Sequence, residues 1–280
     1  MKNLIITFTD AKFGDFTINH WLKSLKENVN LKNIDAVILD YGMTDEQIEK
    51  LKKEGAIVVK CVRDGHVTTI RHRDISNYLA KNKGKYDQIL MTDGGDIIFQ
   101  GDISGVLQSN KDDFWVVLET YNMIDFSKIF LDRYFKKEDA EKMKKALNGK
   151  KMINAGVIFA AAKKMEGLCG ECYKLILEKN KFGPDQVAVN YILYREGFHE
   201  IDERYNFITS TSKNMFKVKE GAFYFKQSNK IIPIVHNAGW KPYLRSIKNF
   251  GYGKEYNKTK LIYLSLMRAG AKIKNKLKAT

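Results

Sequence analysis

Four short apolar runs, separated by stretches of helical spacing, constrain the fold of this chain more than any other feature. "NLIITFTD", "IDAVILD", "AIVVKCV" and "YDQILMTD" are close to continuous in apolar residues instead of alternating, as expected of strands covered on both faces. Between the first two, "FTINHWLKSLKENV" places Phe16, Trp21 and Leu25 at helical intervals. "MTDEQIEKLKKEG" offers Thr44 as an N-cap, Gln47 three residues on and Gly55 as a stop. "ISNYLAKNKG" predicts another helix. Strand and helix in alternation imply an α/β fold with a largely parallel sheet.

After Asp102 the pattern changes. "DFWVVLET" reads as a strand, "DRYFKKEDAEKMKKALNG" as a charged helix, "INAGVIFAA" as a strand, and residues 165–180 as a helix. A further helix over "FGPDQVAVNYILYREG" has Pro184 near its start. Short strands around "RYNFI" and "KIIPIVHNAG" close the globular part. No repeat or Pro/Ser-rich joint divides it, so two fused lobes in one compact domain over residues 1–250 are expected, with a tail over 251–280.

A chain of 280 residues with 44% hydrophobic content buries a core without staples. Its net charge of +15 calls for an anionic partner. Residues 254–280 carry eight Lys/Arg against one Glu, and Ile262, Leu266, Ala269, Ile273 and Leu277 form one helical stripe among them. Such a basic amphipathic tail suits an anionic membrane surface, at roughly 1 kcal/mol per lysine. A nucleic-acid partner is not expected, because the basic residues cluster there without an aromatic platform. Three cysteines make no disulfide framework, and the "CGEC" pair Cys169 and Cys172 lacks a second pair to complete a zinc site. No apolar window approaches a membrane span, and no signal sequence is expected in "MKNLIITFTDAKFGD", whose apolar run is short and broken by Thr and Asp. The expected location is the cytoplasm, peripheral on the inner face of the cell membrane.

One stretch stands out for chemistry. In "YDQILMTDGGDIIFQGD" an apolar run breaks into Asp93, two glycines and Asp96, then recovers. Loops at the carboxyl ends of strands form the ligand crevice of an open α/β sheet. Two hard oxygen donors beside glycines suit Mg²⁺ or Mn²⁺ on a diphosphate; an ordinary acidic turn has the same composition.

Several segments, in order along the chain, resemble the family 8 glycosyltransferases, retaining nucleotide-sugar enzymes that include lipopolysaccharide galactosyl- and glucosyltransferases. They are "LIITFTDAKFGDFTINHWLKSLKEN", "DIIFQGDISGVL", "INAGVIFA", "DQVAVNYIL", "RYNF" and "HNAGWKPY". The resemblance implies a GT-A glycosyltransferase fold, a Rossmann-like mixed sheet flanked by helices, with a nucleotide-binding lobe over 1–110 and an acceptor-side lobe over 111–250. It implies a metal-dependent hexosyltransferase that takes a UDP-linked nucleotide-sugar donor and a glycan or glycolipid acceptor. It also implies Mn²⁺ or Mg²⁺ held by Asp96 and His236, with Asp93 as a further candidate, and Gly239 and Lys241 on the diphosphate. Thr7, Thr9 or Asp10 would contact the base, Asp10 being equally suited to cap the strand end. Arg71 or Arg73 would approach the donor. Asn154, Asp185 and Gln186 resemble residues around the transferred sugar; a Gln amide is a poor nucleophile, which favours front-side attack with Gln186 and Asp185 positioning and stabilising.

Two departures from the family pattern matter. The first acid of the family's Asp-x-Asp would fall on Gly94, whereas this chain has Asp93. The segment from His236 to Lys241 is also one residue short. A sugar nucleotidyltransferase would need a Gly-rich, Arg-containing loop after the first strand, and a haloacid-dehalogenase phosphatase an Asp pair followed by Gly-Thr; neither is present. A non-catalytic nucleotide-sugar or glycan binder of the same fold is the alternative that the altered Asp-Gly-Gly-Asp suggests.

Overall fold

The computed structural model describes residues 2–109, 112–123, 127, 130–212, 214–239 and 245–253. Lys241 and the predicted tail stripe lie outside the described residues. The four apolar runs form strands β1 (Lys2–Thr9), β2 (Ile34–Asp40), β3 (Ile57–Lys60) and β4 (Tyr86–Thr92), all parallel. Strand β5 (Ile97–Phe99) follows the Asp-Gly-Gly-Asp loop. The sequence of the second half adds β6 (Phe114–Val116), β7 (Leu118–Asn122), β8 (Lys151–Ile153), β9 (Val157–Ala161) and β10 (His199–Glu200). The last strands are β11 (Phe207–Ile208), β12 (Phe216–Lys219), β13 (Ala222–Phe225) and β14 (Ile234–His236).

A mixed sheet of seven strands runs in the order β10-β6-β9-β4-β1-β2-β3, with β9 antiparallel to both neighbours. The chain moves outward from β1 to β2 and β3, then returns to place β4 on the other side of β1. The strand order therefore switches between β1 and β4, the place beyond whose carboxyl ends open α/β sheets bind ligands. A second sheet, β11-β14-β5, leans against this end and carries His236 at the tip of β14.

The helices are α1 (Ala11–Phe16), α2 (Lys23–Asn28), α3 (Asp45–Lys53), α4 (Val67–Lys81), α5 (Ser104–Ser109), α6 (Leu131–Tyr134), α7 (Lys137–Leu147), α8 (Ala162–Leu175) and α9 (Pro184–Glu196). A π-helical turn, Thr17–Leu22, joins α1 to α2, and its extra residue per turn aims Trp21 Nε1 at Thr92 Oγ1, 3.0 Å away beneath the acidic loop. The Thr44–Gln47 capping box forms as expected, and Gly55 adopts φ +87° at the predicted stop.

Four expectations need correction. Helix α4 begins at Val67, eight residues before "ISNYLAKNKG", because His66 caps it and because Thr69, Arg71 and His72 are buried despite their polarity. The segment "INAGVIFAA" is two strands, broken at Asn154–Gly156 to serve the site. The charged helix divides into α6 and α7, and residues 165–180 hold a helix that starts earlier and ends at Leu175. The hairpin β12–β13 lacks a clear sequence signal because its inward side chains, Phe216, Val218, Phe223 and Phe225, pack on a small separate cluster with Phe207 and Phe250.

Candidate functional site

The acidic loop is shaped by what surrounds its glycines. A β-carbon at Gly94 would collide with the Phe8 carbonyl oxygen and lie 2.8 Å from Thr7 Oγ1; one at Gly95 would lie 2.8 Å from the Phe13 ring. No side chain fits at 94, so the first acid stands one residue earlier, at Asp93. Two backbone bonds anchor the loop, from Asp93 N–H to Gly156 O at 2.9 Å and from Asn237 N–H to Asp96 O at 2.9 Å. The second ties the loop to the residue after β14.

These anchors bring Asp93, Asp96 and His236 together, with one potential ligand atom from each inside a 4.8 Å span. His236 Nε2 faces Asp96 Oδ1 at 3.4 Å and Asp93 Oδ2 at 3.7 Å, yet this fully buried atom makes no hydrogen bond. Gly156 leaves the space beside it clear, since a β-carbon there would lie 2.5 Å from His236 Cε1 and 2.8 Å from Asp93 Oδ2. An orphaned imidazole nitrogen and two carboxylates in a glycine-cleared cradle fit a divalent cation. Burial pushes the His236 imidazolium down, but Asp96, Asp93 and Glu119 outweigh it and hold the group above its ordinary range. Burial opposes ionisation of Asp96, and His236, Arg245 and Arg71 reverse that, holding it below the usual carboxylate range.

Arg71 organises the other side. Its guanidinium is buried, pairs with Asp93 Oδ1, approaches Asp185 Oδ2 and Ala155 O at 3.4 Å each, and stacks 4.6 Å from the Phe8 ring. Burial pushes the Asp185 carboxyl up to about 6, against the pull of Arg71. Arg73, the other candidate, points elsewhere and pairs with Asp64 and Asp74.

The remaining expected residues divide between the cleft and its supports. Thr7 is buried and donates to Thr92 O at 3.0 Å, while Thr9 accepts from Thr17 Oγ1 at 3.0 Å. Asp10 caps α1 through the Lys12 and Phe13 amides and pairs with Arg63 at 3.1 Å. Gln186 spends its amide on backbone, donating to Ile153 O and accepting from Ala155 N at 3.1 Å, and so holds the Asn154–Gly156 break in place. Asn154 accepts from Gly156 N–H at 2.9 Å and donates to Glu119 Oε1 at 3.0 Å. The Gly239 carbonyl accepts from Arg245 Nε at 3.2 Å.

Sequence reasoning missed three participants. Arg245 reaches Asp96 Oδ2 at 3.2 Å and lies over Phe13; its only signal is its place four residues after Lys241. Glu119 is a buried acid at the end of an apolar run, its carboxyl pushed up by burial. Asn206, inside "RYNF", accepts from His236 Nδ1–H at 3.0 Å.

The sequence profile described as glycosyl transferase family 8 matches residues 15–246. No curated protein matches the chain. Among solved structures, the apo form of WbbM, a bifunctional glycosyltransferase, is similar with a TM-score of 0.56 at 17% identity. The match covers 86% of this chain and 47% of that one, so this chain spans about half the length of WbbM. At that identity the likeness speaks for the fold, and it bears out the expected GT-A architecture of a mixed sheet flanked by helices. The profile match, which takes in the acidic loop, the Asn154 break, the Asp185–Gln186 helix and His236, places the chain in glycosyl transferase family 8.

Proposed function

We propose that this chain is a glycosyltransferase that moves a hexose from a UDP-linked donor to a glycan or glycolipid with retention of configuration, using Mn²⁺ or Mg²⁺ held by Asp93, Asp96 and His236. The observation that carries the reading is the buried His236 Nε2, without a hydrogen bond and aimed at the two carboxylates at 3.4 and 3.7 Å. A divalent cation there supplies positive charge to the diphosphate as it leaves. Arg245, partly exposed beside Asp96, and Lys241 add cations for the same charge.

The bond from the anomeric carbon to the diphosphate breaks while an acceptor hydroxyl oxygen attacks on the same face, and its proton passes to the departing phosphate oxygen. Asp185, at the start of α9, and the buried Arg71 lie beside Asp93, where the sugar would sit. Gln186 acts as a positioning residue through the backbone it holds. Asp10 and Arg63 stand at the carboxyl end of β1, where a base is expected. A glycolipid acceptor would suit the basic tail; among the described residues no helix is long and apolar enough to cross a membrane.

Thermal unfolding with UDP, GDP, CDP and dTDP, each with and without Mn²⁺, tests this. Ligand at a hundred times its dissociation constant stabilises by about 2.7 kcal/mol. A shift with UDP alone that needs Mn²⁺, lost together with turnover in Asp96→Ala and His236→Ala, is expected. No shift with any nucleotide overturns the reading.

A further inference from the structure

A metal-ligating imidazole must present one nitrogen as a lone pair, and the group bound to the other nitrogen decides which one. At His236 that group is Asn206, whose side chain can face the ring with either its oxygen or its NH₂. The surroundings leave one choice. Gly156 N–H is a donor only, and it meets Asn154 Oδ1 at 2.9 Å, so the oxygen of Asn154 points inward. The Asn154 NH₂ then points outward, where Glu119 Oε1 accepts at 3.0 Å; Thr211 also donates to this carboxylate. Asn154 Oδ1 in turn takes the Asn206 Nδ2 at 3.3 Å, which leaves Asn206 Oδ1 to face His236 Nδ1 at 3.0 Å. The chain of donors and acceptors ends with Nδ1 carrying a proton, so that Nε2 is the nitrogen left to offer a lone pair toward Asp93 and Asp96 when a cation displaces its proton.

The chain draws on four separate segments. Glu119 lies on β7, Asn154 follows β8, Asn206 ends the 3-10 turn Glu203–Asn206 and His236 ends β14. Glu119, Asn206 and His236 are buried and Asn154 half-buried, which limits the access of water to the bonds at Asn206 and His236. Inside a protein such a network is strengthened by the low local dielectric.

We propose that Asn206 is a positioning residue that fixes His236 as the Nδ1–H form, and that Asn154 and Glu119 set its orientation, so that Nε2 is held ready for the divalent cation. The inference rests on the proposed metal site. Asn154, which resembles a residue around the transferred sugar, thereby gains a second task, since both ends of its amide belong to this chain of bonds.

The test is Mn²⁺ binding by the full chain, followed through the electron paramagnetic resonance of free Mn²⁺, with the ring nitrogen shifts of His236 read by NMR in the metal-free protein. Asn206→Leu removes the acceptor and is expected to weaken Mn²⁺ about ten- to a hundredfold and to populate the Nε2–H form. Asn206→Asp keeps an acceptor at Nδ1 and is expected to bind within a few-fold of wild type, a rescue that a merely structural role does not predict. Asn154→Ser frees Asn206 to turn and is expected to weaken binding even if Asn206→Leu does not fold. Unchanged Mn²⁺ affinity in Asn206→Leu, or in Asn154→Ser should the first variant not fold, overturns the inference while the metal site stands. A wild-type ring with Nδ1 bare overturns it as well. Absence of Mn²⁺ binding in the wild type removes the metal site itself.

Discussion

Gly156→Ala isolates the cradle with the smallest possible change. Gly156 is not among the residues with positive φ, so alanine meets no backbone strain there and its effect is steric. The new β-carbon would lie 2.5 Å from His236 Cε1, 2.8 Å from Asp93 Oδ2 and 2.9 Å from Asn154 Oδ1. None of the three yields readily: the imidazole is buried and bonded to Asn206, Asp93 is paired with Arg71, and Asn154 is bonded at both ends. Overpacking of this kind costs about 1–3 kcal/mol, and each kcal/mol lowers the melting temperature by about 2–4 °C in a domain of roughly this size. The same displacement pushes the imidazole and Asp93 apart, so Mn²⁺ affinity is expected to fall at least about tenfold, on the scale of losing one supporting partner. Gly167→Ala is the control. It sits in α8 with nothing within 4 Å of the added carbon, and helix propensity makes the change stabilising by up to about 1 kcal/mol. Calorimetry and Mn²⁺ titration on both variants decide the matter. A Gly156→Ala protein with wild-type melting temperature and Mn²⁺ affinity would falsify the cradle geometry.

Arg71→Leu strips the cation from between Asp93 and Asp185 and is expected to cost about 3–5 kcal/mol, because two carboxylates lose their buried partner; a loss under about 1 kcal/mol in urea unfolding would show that solvent already screens them. His72 is fully buried with neither ring nitrogen bonded, and burial, followed by the nearby Arg71, holds its pKa well below the ordinary 6.5. The unfolded chain therefore takes up a proton near pH 6.5 that the folded protein refuses. Stability from this group is whole above that pH and falls as the pH drops through the window below 6.5, by about 1.4 kcal/mol per pH unit. His72→Leu should lose one proton's worth of this slope relative to wild type, and identical slopes between pH 6 and 5 would refute the assignment.

The parts of this protein legible in the sequence are those governed by local pattern. Apolar runs such as "IDAVILD" must be covered on both faces, and the Thr44–Gln47 box and Gly55 mark helix ends through the backbone groups of their own turn, so the α/β alternation followed without any knowledge of neighbours. Likewise the profile segments around Asp96, Asn154, Asp185 and His236 were recognisable because each is short and contiguous. Helix α4 was only half legible, since "VTTIRHRD" looks like a solvated stretch until Asp93 and Asp185 arrive to pair Arg71. The partners that Arg71 and Arg73 find, the exclusion of a side chain at position 94, and the contacts of Glu119, Asn206 and Arg245 are decided only by tertiary structure. Each depends on which backbone or side chain from a distant segment stands within a few ångströms: the Phe8 carbonyl excludes a side chain at 94, and Gly156 N–H sets the direction of a bond chain that ends at His236. Local sequence specifies hydrophobic period and turn chemistry, whereas steric exclusion and hydrogen-bond polarity arise between residues far apart in the chain, where no spacing rule operates.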